Sequence, residues 1–224
     1  MVEEKIRRPK PVSGVKRVDQ LGILVLDGSG SMGNPDPQGR TKAQAVSEAV
    51  LGLIKRLQTS SRSIDYSLSL IAFDDQVEPP RLLPTPVADI DGDNLNTNPY
   101  LGGQTAIGDA LEKAGEIAEE FLNRGGELRR SVAIMLMSDG ENITGINPLT
   151  VAESLKEKFK MFKETLEKKE GKICCVFYGK ENDPGVELLK KICSEPVKPG
   201  DETFKTVDDA ESLKTFFEKS LMEE

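Results

Sequence analysis

The sequence predicts an α/β domain, a doubly wound and mainly parallel sheet with helices on both faces. Three observations lead there. Short continuous apolar runs, at residues 23–26, 132–137 and 173–178, read as strands buried on both faces, as in parallel sheets. Between them lie segments whose apolar residues recur at spacings of three and four, the period of an amphipathic helix. The two kinds alternate to the C-terminus, with no repeat, low-complexity tract or linker to cut the chain in two.

The elements follow in order. A first strand is expected over about Leu21 to Leu26, ending at Asp27. The Gly-, Ser- and Pro-rich stretch to Gly39, with Pro35 and Pro37, delays the next helix. That helix runs from about Thr41 to Gln58, with Val46, Ala49, Val50, Leu53, Ile54 and Leu57 on one stripe. A long strand from Ile64 to Phe73 ends in Asp74-Asp75. Val77 and residues 81–83 suit a short edge strand, demoted by Pro79, Pro80 and Pro84. A helix from Ala106 to Leu122 holds its period through Ile107, Ala110, Leu111, Ala114, Ile117, Ala118 and Phe121. A strand from Val132 to Met137 ends in Ser138-Asp139-Gly140. Val151, Leu155, Phe159, Phe162 and Leu166 mark a third long helix. Then come a strand at residues 173–178, a short helix over Val186 to Ile192, an edge strand over Thr203 to Val207, and a last helix through Leu221 capped by Asp208.

Bulk properties narrow the function. At 224 residues the chain has room for one substantial core. Residues 1–18 carry six basic residues against Glu3 and Glu4, a net +4, which leaves −12 on the rest of a chain of net charge −8. A body so acidic argues against nucleic acid, whose phosphates are met by Lys and Arg clusters. The basic arm at 1–18, with Pro9 and Pro11, reads as a tail ahead of a domain at 19–224. No apolar run approaches the ~20 residues that span a bilayer, so neither a membrane segment nor a secretory leader is expected, and the location predicted is the cytoplasm. Three cysteines, Cys174, Cys175 and Cys193, do not suggest a disulfide framework; the adjacent pair lies in an apolar strand, where cysteine packs as a small hydrophobe. The sequence contains no histidine, which removes Ser-His-Asp catalysis and histidine-ligated zinc together.

The chemistry concentrates at Asp27-Gly28-Ser29-Gly30-Ser31, directly after the first strand. In open α/β sheets ligands sit beyond the carboxyl ends of the strands. Alternate residues of an extended segment point the same way, so Asp27, Ser29 and Ser31 can face one point, and the glycines between them permit close turning. Thr105, in a Gly-rich loop, and Asp139, at another strand end, complete five oxygen-bearing side chains at equivalent places. Carboxylates and hydroxyls are hard ligands, suited to Mg2+ or Mn2+, with Ca2+ also compatible. Hydroxyls are neutral, so a dication held largely by them stays electrophilic and favours an acidic oxygen from outside, such as a partner's Asp or Glu.

These residues carry a family resemblance. Asp27-Gly28-Ser29-Gly30-Ser31-Met32, with Gly33 beyond, resembles the DxSxS signature of von Willebrand factor type A (vWA) domains. Gly102-Gly103-Gln104-Thr105 resembles the second loop of that family, which supplies a threonine, and Ser138-Asp139-Gly140 the third, which supplies an aspartate. The resemblance covers about residues 20 to 220. It implies a Rossmann-like six-stranded sheet in the order 3-2-1-4-5-6 and a complete metal-ion-dependent adhesion site (MIDAS). Carried over, Ser29 and Ser31 bind the metal directly, Thr105 and Asp139 directly or through water, and Asp27 mainly through water and hydrogen bonds. It further implies protein binding without catalysis. The expectation is a stand-alone prokaryotic module serving a signalling, stress-resistance (tellurium-resistance-like) or assembly system, its oligomeric state left open.

Other readings compete. Gly28-x-Gly30-x-x-Gly33 matches a dinucleotide fingerprint, but Asp27 would face the pyrophosphate, prolines delay the helix, and Asp74-Asp75 lie more than forty residues on where about twenty is expected. A phosphoryl-transfer enzyme would want a carboxylate where Ser29 stands, and no P-loop lysine motif occurs. Asp89-x-Asp91-x-Asp93 resembles a calcium loop with its glycine and its twelfth residue wrong, and reads as polar surface. Asp27 and Ser29 alone could cap a turn; the Thr105 and Asp139 loops are what that account omits.

Overall fold

The computed structural model describes residues 18–60, 65–125, 128–165, 169–197 and 199–222. Among these described residues are six strands and five α-helices: β1 Val18–Asp27, α1 Lys42–Gln58, β2 Tyr66–Phe73, β3 Leu82–Pro86, α2 Ile107–Asn123, β4 Arg129–Ser138, α3 Pro148–Thr165, β5 Lys169–Tyr178, α4 Val186–Ile192, β6 Phe204–Val207 and α5 Ala210–Met222. The strands form one sheet in the order β3-β2-β1-β4-β5-β6. Every neighbouring pair is parallel except β2 with β3, which is antiparallel. The expected α/β fold and strand order are thus present. The basic arm, apart from Val18, lies outside the described residues, as do Ile64 at the expected start of β2 and Leu166 at the end of α3.

The sheet separates two apolar layers because side chains alternate along each strand. Leu24 and Leu26 of β1 pack with Met135 and Met137 of β4 against Val46, Val50 and Leu53 of α1 and Leu213, Phe216 and Phe217 of α5. Ile23 and Val25 join Ile134, Leu136 and Phe177 on the other face, under Ile107 and Leu111 of α2, Leu155 and Phe159 of α3, and Leu189 of α4. Cys174 and Cys175 fall one on each layer, both buried, as expected of small hydrophobes in an interior strand.

Several boundaries differ from expectation for physical reasons. β1, β4 and β5 begin several residues earlier than their apolar runs, because ladder pairing such as Val18 with Arg129 and Arg130 with Lys169 extends them past the core into polar sequence. The edge strand lies at Leu82–Pro86, C-terminal to its expected place, while Val77 makes only an isolated bridge to Phe73. Pro84 and Pro86 are tolerated because β3 has a neighbour on one side only. The last helix is capped by Asp209 and not by Asp208: Asp209 Oδ1 accepts from Ser212 N at 2.8 Å and Oδ2 from Ser212 Oγ at 2.6 Å. Asp208 sits one residue too early, and its carbonyl instead accepts from the Tyr178 hydroxyl at 3.2 Å.

Parallel pairing sets the functional end of the molecule. Asp27 stands beside Phe73, the last residue of β2, and Leu26 beside Met137. Asp27, Asp74 and Ser138-Asp139 therefore emerge together at one rim of the sheet.

Candidate metal centre

The first loop is shaped before any ligand is considered. Asp27 is fully buried, and its Oδ1 accepts from Ser29 N at 2.8 Å, closing a local turn. Its Oδ2 accepts from Ser138 Oγ at 2.5 Å, which ties β1 to β4 across the rim. Burial pushes the Asp27 carboxyl up to about 6, against the opposing pull of the bonds from Ser138 and Ser29. Gly28 donates to Phe73 O at 2.7 Å, and its own carbonyl accepts from Leu101 N and Gly102 N at 2.7 and 2.9 Å. A Cβ at Gly28 would lie 2.0 Å from the carbonyl oxygen of Pro99. This glycine is required by the close passage of Pro99 and Leu101, which lead into the chain's own second loop.

The motif continues into a single 3-10 turn at Gly30–Gly33. The long helix waits until Lys42, because Asp36 folds the chain back, accepting from Gln38 N, Arg40 N and the Arg40 guanidinium. Thr41 then opens α1 with a reciprocal capping box: its hydroxyl accepts from Gln44 N while the Gln44 side chain accepts from Thr41 N.

The second and third loops are stitched to the first and to each other. Gly30, between the two serines, donates to Gly103 O at 2.9 Å. Asp74 receives Gly103 N on its carboxylate at 3.1 Å and Ala106 N on its carbonyl at 2.7 Å, so it holds both sides of Thr105. Thr105 is 5% exposed, and its carbonyl accepts from Ile143 N at 2.8 Å. Its hydroxyl lies 3.9 Å from where a Cβ on Gly140 would stand, next to Asp139. Asn142 Oδ1 accepts from Gly108 N at 3.3 Å and so caps the first turn of α2 from the third loop.

The side chains meet at the centre of this frame. Ser29 Oγ and Ser31 Oγ are 3.1 Å apart, and Ser31 Oγ donates to Asp139 Oδ1 at 2.6 Å. The other oxygen of Asp139 receives Lys42 Nζ at 2.5 Å. Asp27, Ser29, Ser31 and Asp139 therefore form one bonded group with Ser138, and Thr105 flanks it. Among the described residues no group of three or more His, Cys, Asp or Glu is placed to hold a metal. Any cation here depends on hydroxyls as well as on the two carboxylates. The donor set fits a hard dication: it offers oxygen only, and the carboxylate of Asp139 already draws an ammonium to the oxygen turned away from Ser31.

Three residues of this site carried no assigned role in the sequence reading. Ser138 was visible only as the neighbour of Asp139, and Asp74 as an acid at a strand end. Lys42 gave no local signal, since a lysine near a helix start looks like any solvated position. The Asp89-x-Asp91-x-Asp93 stretch is a local turn: Asp91 accepts from Asp93 N at 3.2 Å and Asn94 Nδ2 at 2.6 Å.

The sequence profile described as the von Willebrand factor type A domain matches residues 23–219. The chain belongs to that family. As a vWA domain it shares its fold with proximal thread matrix protein 1 (PTMP1) from the mussel byssus, at TM-score 0.62 and 22% identity over 92% of this chain and 46% of PTMP1. PTMP1 has also been solved with a zinc-occupied MIDAS motif, a structure matched at TM-score 0.60 and 20% identity over 90% of this chain and 44% of that one. BatB from Bacteroides thetaiotaomicron matches at TM-score 0.58 and 17% identity over 89% of this vWA chain and 96% of its own. The pilus adhesin SpaC from Lactobacillus rhamnosus GG matches at TM-score 0.61 and 12% identity over 91% and 30%. The vWA chain here spans less than half the length of PTMP1 and of SpaC, and at these identities the likeness is one of fold. No curated protein sequence matches. vWA domains typically mediate metal-dependent protein interaction or adhesion and bind a divalent metal at the MIDAS. No helix among the described residues of this domain is long and apolar enough to cross a membrane.

Proposed function

We propose that this vWA domain binds a protein partner through a complete MIDAS, without catalysis. The observation that carries the reading is the convergence of Ser29, Ser31 and Asp139 in one chain of contacts of 3.1 and 2.6 Å, drawn from loops more than a hundred residues apart. Ser29, Ser31 and Thr105 offer hydroxyl oxygens, Asp139 a carboxylate, and Asp27 a buried carboxylate that orients the first loop. The donor hardness favours Mg2+ or Mn2+ over softer metals, with Ca2+ a larger alternative. A dication bound there supplies a Lewis-acidic position open to one external oxygen. Asp27 receives Ser29 N and Ser138 Oγ, Asp74 fixes Thr105 from behind, and Ser31 holds Asp139 in place; together they order the donors in advance. An Asp or Glu of a partner protein is the matching external ligand, and neither nucleic acid nor a membrane surface suits so acidic a body. Cys174, Cys175 and Cys193 are buried as small hydrophobes, and a cytoplasmic location is part of the proposal. The role we assign is that of a prokaryotic module in signalling, stress resistance or assembly.

The test is thermal melting after chelation. Addition of Mg2+ or Mn2+ at about a hundred times Kd stabilises a binder by ~2.7 kcal/mol, a rise of roughly 5–10 °C in a domain of this size. Asp139→Ala abolishes most of that rise. Capture of a partner from lysate with and without chelator then separates coordination from other binding. Stabilisation by NAD with no response to divalent ions overturns the reading.

A further inference from the structure

Lys42 is the residue of the site that neither the ligand set nor the fold requires. It occupies the first helical position of α1, directly after the Thr41 cap, and its Nζ lies 2.5 Å from Asp139 Oδ2. The Asp139 side chain is fully shielded and that of Lys42 is 21% exposed. A cation is disfavoured at a helix N-terminus, where the peptide dipoles already present positive charge. The first turn of α1 has no acidic residue to offset it. Lysine is thus held at an electrostatically unfavourable place, and among the described residues its ammonium reaches one carboxylate, the one that Ser31 presents at the centre of the site.

We propose that Lys42 is a built-in counter-charge that weakens the hold of the site on its dication and makes the centre less negative, so that a carboxylate from outside is bound more strongly. The inference rests on the MIDAS reading above. Of the acids around the centre, Asp27 and Asp139 join the bonded group and already match the charge of a dication, and Asp74 stands behind Thr105. Lys42 restores one positive charge, and it does so on the carboxylate oxygen that a cation would otherwise have to itself. The same ammonium therefore acts in opposite directions on the two ligands: it repels the metal and attracts the acidic group of the partner. Shielding makes the effect larger than at an open surface, and the residual exposure of Lys42 limits it. Lys42 is in these terms a positioning and charge-setting residue and need not touch the metal.

The test uses Mn2+ as the metal and acetate as the carboxylate probe. Mn2+ affinity is measured by titration calorimetry on the wild type, Lys42→Met and Lys42→Arg, with the fold checked by melting in chelator. Lys42→Met is expected to bind Mn2+ about tenfold more tightly, and Lys42→Arg within about twofold of wild type. The relaxation of water protons by bound Mn2+, titrated with acetate, reports displacement of metal-bound water, and the acetate concentration needed is expected to rise several-fold in Lys42→Met. Mn2+ affinity in Lys42→Met equal to or below wild type overturns the proposal while leaving the MIDAS reading intact. Absence of Mn2+ binding by the wild type overturns both. Equal tightening in Lys42→Met and Lys42→Arg also overturns the proposal, since loss of shape and not of charge would then be responsible.

Discussion

Two stretches of this chain look alike as strings of oxygen ligands, Asp27-x-Ser29-x-Ser31 and Asp89-x-Asp91-x-Asp93, and the second carries more charge. The structure treats them in opposite ways. Asp91 bonds to Asp93 N and Asn94 Nδ2, within three residues of itself, and is spent on a turn. Asp27 and Ser31 bond to Ser138 and Asp139, more than a hundred residues away, so the first loop is one wall of a site with other walls. The difference shows that ligand density along the chain is a poor guide. A hard cation needs donors from several directions, and a strand end in a parallel sheet supplies them because its neighbours end at the same rim.

The strongest way to sharpen the comparison is pH. A buried carboxyl whose folded pKa exceeds its unfolded value binds a proton more readily when folded, so the folded state loses stability as pH rises through that interval. For Asp27, raised by burial from the ordinary 3.8 to about 6, the loss in chelator amounts to ~3 kcal/mol, developed between about pH 4 and pH 6 and constant above. Urea unfolding across that range in chelator should show the decline, and Asp27→Asn should flatten it. Asp91, held below the usual range by the Asn94 side chain, predicts no such decline, and Asp91→Asn should leave the slope in place.

Next in size is the backbone frame. Gly28→Ala forces a Cβ against the Pro99 carbonyl oxygen and should destabilise by ~1–3 kcal/mol or more, with loss of the divalent-dependent rise in melting temperature as the two loops part. Asp74→Ala removes the acceptor of Gly103 N and should cost ~1–2 kcal/mol, again with a weakened divalent response because Thr105 is no longer held from behind. The smallest expected effect is at the other stretch. Asp91→Ala should change stability by no more than about 0.5 kcal/mol and leave the Mn2+ response untouched. A divalent response lost on Asp91→Ala and kept on Asp139→Ala would reverse the comparison altogether.

Most of the framework was legible in one dimension. Apolar runs at residues 23–26, 132–137 and 173–178 became the buried centres of β1, β4 and β5, and the stripe through Val46, Val50 and Leu53 became the core face of α1. These patterns are local consequences of burial on one face or two, and they need no knowledge of neighbours. Asp27, Ser29 and Ser31 could be read as a group from their residue types at a strand end, but what brings the two serines together is the 3-10 turn at Gly30–Gly33 and not extended spacing. Strand starts were less legible, since ladder pairing carries β1 and β4 past their apolar runs. The last cap moved from Asp208 to Asp209 because a single residue decides which acid meets Ser212 N.

What the sequence alone determined is the set of elements and the donors at their ends, since hydrophobic period and residue chemistry are properties of the chain itself. Only the tertiary structure decided which of those donors share a centre, that Asp74 and Ser138 brace it, and that Lys42 stands on Asp139. Those facts depend on parallel strands delivering distant residues to one rim, where separation along the chain no longer predicts separation in space.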